Sequence, residues 1–458
     1  MECVDVSGMA GGAGVKKSIL HEQGVRWENT AKVFAISSLG VFFLVFAWSL
    51  IAGLLIQWVV LPALPGLHAG LGLMKGGDWI GFHLDAVDLA SLMQDQGWQV
   101  WELRPRGNAP IGIAAAAYFL VGISEPWVVL PINAAVFALA AVSLYGIFTS
   151  FASKSLAFMA TLPFVMFPSA ALIYSQIHKD VFSIAGTLVI AFVWVRFAQR
   201  AETGWRSVLG RVALTAVGCL MVWAVRPYLL QSLMVASLLT VLLLGIMTGR
   251  GRRAAWWGGI LLCLLVQAGY SKVTTAPTAP TAPTAPTAPT APSAPSAPSY
   301  LERAVATLNA ARVGFSTSAP HAGSNIDMDV RFGSLADVVS YAPRAIQVGL
   351  LAPFPPMWVS DGVSPGSGVM RFISGMEMAV SYVLLIGVGL LLYGLKVNRP
   401  ALLVAILMAM VLILVLALVV CNVGTLYRMR YGSWQLLNGL GVLGWGMWRQ
   451  KRLHYFHA

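Results

Sequence analysis

The chain has 458 residues, of which 58% are hydrophobic and only 10% charged, with a formal net charge of +12. Long runs without Asp, Glu, Lys or Arg exclude a soluble globular protein and define a polytopic membrane protein. The four cysteines, Cys3, Cys219, Cys263 and Cys421, are scattered and form no CxxC pair, so neither a disulfide framework nor a cysteine metal site is expected.

Residues 1–32 read as a polar cytoplasmic segment. The apolar run that follows is too long and too far from the N-terminus for a signal peptide, so it is expected to stay in the membrane. Apolar runs near 33–61, 127–149, 155–176, 181–198, 208–225, 228–248, 254–270, 375–395, 401–421 and 433–448 each reach or approach the roughly 20 residues that cross a bilayer. The expected fold is all-α, with about ten transmembrane helices. Residues 109–123, "APIGIAAAAYFLVGI", are apolar but short, and predict one helix lying against the membrane surface or re-entering it.

Charge orients this arrangement. With the N-terminus inside, the cytoplasmic segments hold 17 Lys or Arg against 5 Asp or Glu, and the extracytoplasmic segments hold 13 of each. The positive excess predicts cytoplasmic N- and C-termini in an inner (cytoplasmic) membrane. Its clusters, "VKK", "RFAQRAETGWRSVLGR", "GRGRR", "KVNR" and "WRQKR", are short and abut spans. They read as topology signals, with no nucleic-acid partner expected.

The domain reading follows from the same pass. A membrane core occupies 33–270, with its first outer loop at 62–126. Residues 271–299 contain six Thr-Ala-Pro and two Ser-Ala-Pro triplets. Proline at every third position favours polyproline II, so this is a linker of about 75 Å if fully extended. A large outer loop at 300–372 follows, then C-terminal spans at 373–448 and a cytoplasmic tail at 449–458. Glycine-rich "GLGVLGWG" at 439–446 predicts close helix packing.

The chemistry gathers on the expected outer side. "SQIHKDVFS" puts Lys179 and Asp180 between two apolar stretches, where an ionisable pair is costly unless it serves a function. The first outer loop supplies Asp78, Asp85, Asp88 and Asp95. Asp78 beside Trp79 and Phe82 suits a general base, or else an N-terminal helix cap; the other three share one helical face and read as solvated. Arg226, Arg312, Arg371, Arg428 and Arg430 lie on the same side, and guanidinium groups bind phosphate bidentately. Snorkelling or pairing with a carboxylate is the alternative for each of them. His83 and His178 each lie near an outer carboxylate, a weak signal for a divalent metal, and no metal ligand or cofactor is expected. Walker, HExxH and GxSxG motifs are missing.

A first span, an outer loop with "GDxxxFHxxA", a helix ending near "GISEP", a long second span and an acidic residue in the short second outer loop together resemble the GT-C superfamily of polytopic glycosyltransferases. The nearest likeness is to the bacterial dolichyl-phosphate-mannose mannosyltransferase-like and RgtA/B/C/D-like transferases. It covers roughly residues 30–270, and more loosely the "RMRY" stretch. The resemblance implies transfer of a sugar from a polyprenyl-phosphate-sugar donor to a glycan, lipid or protein acceptor, among membrane lipids. It makes Asp78 the catalytic base or acceptor-orienting carboxylate and Asp180 the second acidic residue. The lipid phosphate would be held by Arg226, Arg428 and Arg430, with Lys179 as their partner, and His83 and Arg312 are further substrate-binding candidates. The chain departs from the family in having Asp78 alone where an acidic pair is usual, and in the proline repeat. A polymerase or ligase of polyprenyl-diphosphate-linked glycans is the related alternative, and a transporter or flippase is the alternative from another class.

Overall fold

Inside a bilayer a backbone N–H or C=O has no water to bond, so a spanning segment must satisfy its polar groups within itself, and helix follows from apolarity and length. The computed structural model describes residues 36–199, 204–247, 254–273, 299–318, 320–360, 367–394 and 399–455. The N-terminal segment, the Thr/Ser-Ala-Pro triplets and most of the loop clusters that set the expected orientation lie outside them.

In chain order, α1 (Ser38–Leu55) starts with the Ser37 hydroxyl accepting the Gly40 N–H and continues through one π-helical turn to Ala63. A hairpin of β1 (His68–Gly70) and β2 (Leu73–Met74) follows, then α2 (Trp79–Gln96) and α3 (Ala109–Val121). Next come α4 (Leu130–Phe148), α5 (Lys154–Met166), α6 (Ala170–Ser175), α7 (Asp180–Gln199), α8 (Trp205–Val225), α9 (Leu229–Met247) and α10 (Ala254–Val273). Beyond the triplets are α11 (Tyr300–Ser318), α12 (Leu335–Leu351), α13 (Pro355–Trp358), α14 (Ser367–Gly394), α15 (Arg399–Val419), α16 (Val423–Met429) and α17 (Tyr431–Tyr455).

The protein is therefore nearly all helical. Among the described residues seven helices are long and apolar enough to cross a membrane: α1 extended to Ala63, α4 with its preceding turn, α7, α8, α9, α14 and α15. Two further expected spans appear as α10 and α17, of 20 and 25 residues. The expected helix at 155–176 is broken in two. Pro168 has no N–H to donate and pushes Phe167 into extended backbone, so the chain turns between α5 and α6.

Helix α7 is the centre of the bundle. Its apolar stretch is 83% buried, against 22% for α1 at the edge, and it packs on α4, α8, α15 and α17. The expected surface helix α3 lies on α2, its alanine-rich side buried and its C-terminal Leu120 and Val121 exposed. Segments 299–318 and 320–360 lie against the end of α15. Arg312 donates to the carbonyls of Leu418, Val330 and Asp327, and Asn422 bonds Asn325.

The glycines at 439–446 pack as their pattern predicts. A Cβ on Gly444 would come within 1.8 Å of the Gly387 carbonyl oxygen, and one on Gly441 within 2.0 Å of that of Leu384, so α14 and α17 meet backbone to backbone. Gly444→Val should push them apart and leave little folded protein after detergent extraction, measured as the monodisperse fraction in size-exclusion chromatography. An ordinary yield would count against this seam.

Candidate functional site

Three separate stretches meet where α7 begins and α8 ends: the loop 176–180, the α8–α9 junction, and α16. Each is placed for a local reason. Gln176, Gln57 and Asn133 tie the loop down through carbonyls and N–H groups of Ser175, Tyr174, Gly72 and Met74. Pro227 ends α8 at Arg226. Asn422 caps α16 by accepting the Thr425 N–H at 3.0 Å.

Asp180 is the pivot. It is only 1% exposed and opens α7, where a carboxylate meets the positive end of the helix dipole. Its Oδ1 accepts from both Nε and Nη2 of Arg226, and its Oδ2 lies 3.1 Å from Nδ1 of His178. The remaining terminal nitrogen of Arg226, Nη1, donates to the Tyr228 hydroxyl at 2.6 Å.

His178 links the first half of the chain to the second. Its Nε2 lies 2.9 Å from Nη1 of Arg428, 250 residues away in sequence. Arg428 can only donate at Nε2, while Nδ1 faces both the Asp180 backbone N–H, at 3.0 Å, and the Asp180 Oδ2. Burial, with Arg428 and Arg226 nearby, pushes the imidazole down to about 4 against the pull of Asp180 and Asp78, so it is neutral at pH 7. The indole of Trp79 packs against this ring at 5.6 Å between centroids.

Lys179 and Arg428 form a half-buried rim over this base. The Lys179 ammonium lies 5.0 Å from the centroid of the Phe82 ring, and its pKa is lowered, first by burial and then by Arg226. Among the described residues no carboxylate lies within 4.0 Å of Lys179 or Arg428; the pairs that form are Asp85 with Arg106, Asp180 with His178 and Arg226, and Asp327 with Arg344. Two cations thus stand over a centre whose own acid is already neutralised. Asp78 is exposed at the N-cap position of α2, and its side chain makes no capping hydrogen bond.

The other candidates lie elsewhere. His83 is buried between α2 and α3, its Nδ1 2.9 Å from the Tyr118 hydroxyl, and burial lowers its pKa. Arg312 is engaged with backbone carbonyls and lies over the rings of Phe332 and Tyr341. Arg430, only 1% exposed, donates to the carbonyls of Val348, Gly349 and Ala352. Arg371 donates to Ser360 and to the Gly323 carbonyl. Arg312 and Arg430 both hold loops through these contacts. Asp85 pairs with Arg106 at 2.9 Å, and Asp88 and Asp95 are solvated. No group of three or more His, Cys, Asp or Glu lies together among the described residues.

Sequence reasoning missed the part played by His178, noted only as a weak metal ligand, and it missed Tyr228. The signal for His178 was present in "SQIHKD": a histidine two residues before a buried carboxylate, in a loop too tight for it to leave. Comparison with family models, with curated proteins and with solved structures finds no match for this chain.

A neutral, buried His178 has a measurable consequence. Its folded-state pKa lies below the unfolded value of 6.5, so the unfolded chain binds the proton more tightly. The stability due to this group is complete above pH 6.5 and is lost as pH falls towards 4. Histidine nitrogen NMR should find the His178 ring neutral from pH 5 to 8. Arg428→Gln should move its titration upward, because a nearby cation is removed; an unchanged titration would contradict the contact.

Proposed function

We propose that the chain is a GT-C-type membrane glycosyltransferase that moves a sugar from a polyprenyl-phosphate carrier to an envelope glycan, lipid or protein acceptor. In this reading ten segments cross a bacterial-type inner membrane, both termini are cytoplasmic, and the site opens on the extracytoplasmic face. The observation that carries it is two cations, Lys179 and Arg428, with no carboxylate within 4.0 Å among the described residues, beside Asp78, whose charge acts on Lys179 and whose side chain makes no capping bond.

In the reaction the acceptor oxygen attacks the anomeric carbon and its proton passes to the Asp78 carboxylate. The bond from that carbon to the phosphate oxygen breaks, and its electron pair stays on the phosphate. Lys179 and Arg428 stabilise the charge that develops there, and such preorganised electrostatics supply much of the catalysis in sites of this kind. Asp180, occupied by Arg226 and His178, is unsuited to proton transfer and instead fixes the cations.

The test is mass spectrometry of polyprenyl-linked glycans in cells lacking the gene, rescued with wild type, Asp78→Asn or Arg428→Gln. Lipid-monophosphate sugar should accumulate and be cleared by wild type. Asp78→Asn should slow transfer by on the order of 10²–10⁴-fold, the usual share of a general base. Accumulated diphosphate-linked repeat units would favour the polymerase or ligase instead, and unchanged pools would return the chain to transport. Full activity in both Asp78→Asn and Asp180→Asn proteins that insert normally would overturn the proposal.

A further inference from the structure

Outside the site lies one buried carboxyl whose neighbours are all neutral donors. Glu377, in α14, is 4% exposed and forms no ion pair among the described residues. Its Oε1 accepts the Ser169 backbone N–H at 2.7 Å, and its Oε2 accepts the Tyr427 hydroxyl. An acid placed so deep without a cation costs several kcal/mol unless its bonds are needed.

What the two bonds join is informative. Ser169 lies at the Pro168 break between α5 and α6, the turn that leads through Ser175 into the loop bearing His178, Lys179 and Asp180. Tyr427 immediately precedes Arg428 in α16. One carboxyl therefore holds both stretches whose meeting produces the His178–Arg428 contact at 2.9 Å. Its own helix is set by the glycine seam with α17, so the reference point is rigid.

We infer that Glu377 is a positioning residue: it bridges Ser169 and Tyr427 so that the Arg428 guanidinium is seated on His178 and presented to an anionic phosphate. The inference rests on the proposed phosphate role of Arg428 only for its functional consequence. The geometric part stands without it.

Two readouts separate these parts. The first is the nitrogen NMR signal of His178 Nε2 in the full-length protein without ligand, assigned by comparison with a His178→Gln protein. In Glu377→Ala and in Tyr427→Phe the signal should move to the position it takes in Arg428→Gln. Glu377→Gln, whose amide can still accept from Ser169 and donate to the Tyr427 oxygen, should keep the wild-type position. Tyr427→Phe removes one hydroxyl and serves as the test if Glu377→Ala does not fold. A wild-type signal in Tyr427→Phe overturns the inference.

The second readout is binding of polyprenyl monophosphate to the same proteins in lipid nanodiscs, followed by native mass spectrometry. Loss of one charge-assisted bond at the phosphate should weaken it about tenfold in Tyr427→Phe, with no further loss when Tyr427→Phe is combined with Arg428→Gln. Additive losses would mean that Tyr427 acts on stability alone and would overturn the inference. Failure of the wild type to bind polyprenyl monophosphate would remove the functional reading, and the nitrogen signal alone would then decide the geometric claim.

Discussion

The contact between Asp180 and Arg226 is the constraint on which the rest of the site depends. Asp180, 1% exposed, is held as a carboxylate by its counter-ion, and breaking such a pair typically costs about 3–5 kcal/mol. Because Arg226 takes one carboxylate oxygen, the other is left for His178, whose second nitrogen then faces Arg428. Each link decides the protonation of the next. The carboxylate stays ionised, the imidazole stays neutral, and Arg428 spends one terminal nitrogen on that imidazole.

The arginines divide by what they find within reach. Arg226 and Arg428 meet side chains at the rim, whereas Arg312 and Arg430 meet carbonyls that a helix end or loop has left unpaired. The same residue type thus supplies a side-chain contact at the rim in one place and a backbone fastener in another. A guanidinium carries five donors in a fixed fork, enough to satisfy several carbonyls at once. These bonds fasten the segments at 299–318 and 320–360 to the end of α15 beside their apolar packing through Val305, Phe332, Ala345 and Val348.

The general class of the fold was legible in the sequence because hydropathy and helix length are linked by the bilayer itself. The glycine seam was legible as well, since small residues at 439–446 have few other uses. The break at Pro168 was readable in principle, but composition masked it: residues on both sides are apolar, and a count of charges passes straight through a kink. Asp180 stood out by its cost. His178 did not, because a lone histidine states nothing about its partners until Arg428, 250 residues distant, is brought beside it. Asp78, expected either as a base or as a cap, stands at the cap position without making the cap's bond. Arg312 and Arg430 could not be told from Arg428 at all, since burial and the presence of bare carbonyls are properties of the folded chain.

The seam between α14 and α17 also has a mechanical meaning. Where two backbones touch through Gly387, Gly441 and Gly444, no flexible side chain lies between them to cushion sliding, and a shift by one helical turn would need about 5.4 Å of travel through solid contact. The contact therefore resists sliding of one helix along the other. If the proposed transfer needs the site to close, the expectation is that α2 and the exposed Tyr228 move rather than the seam.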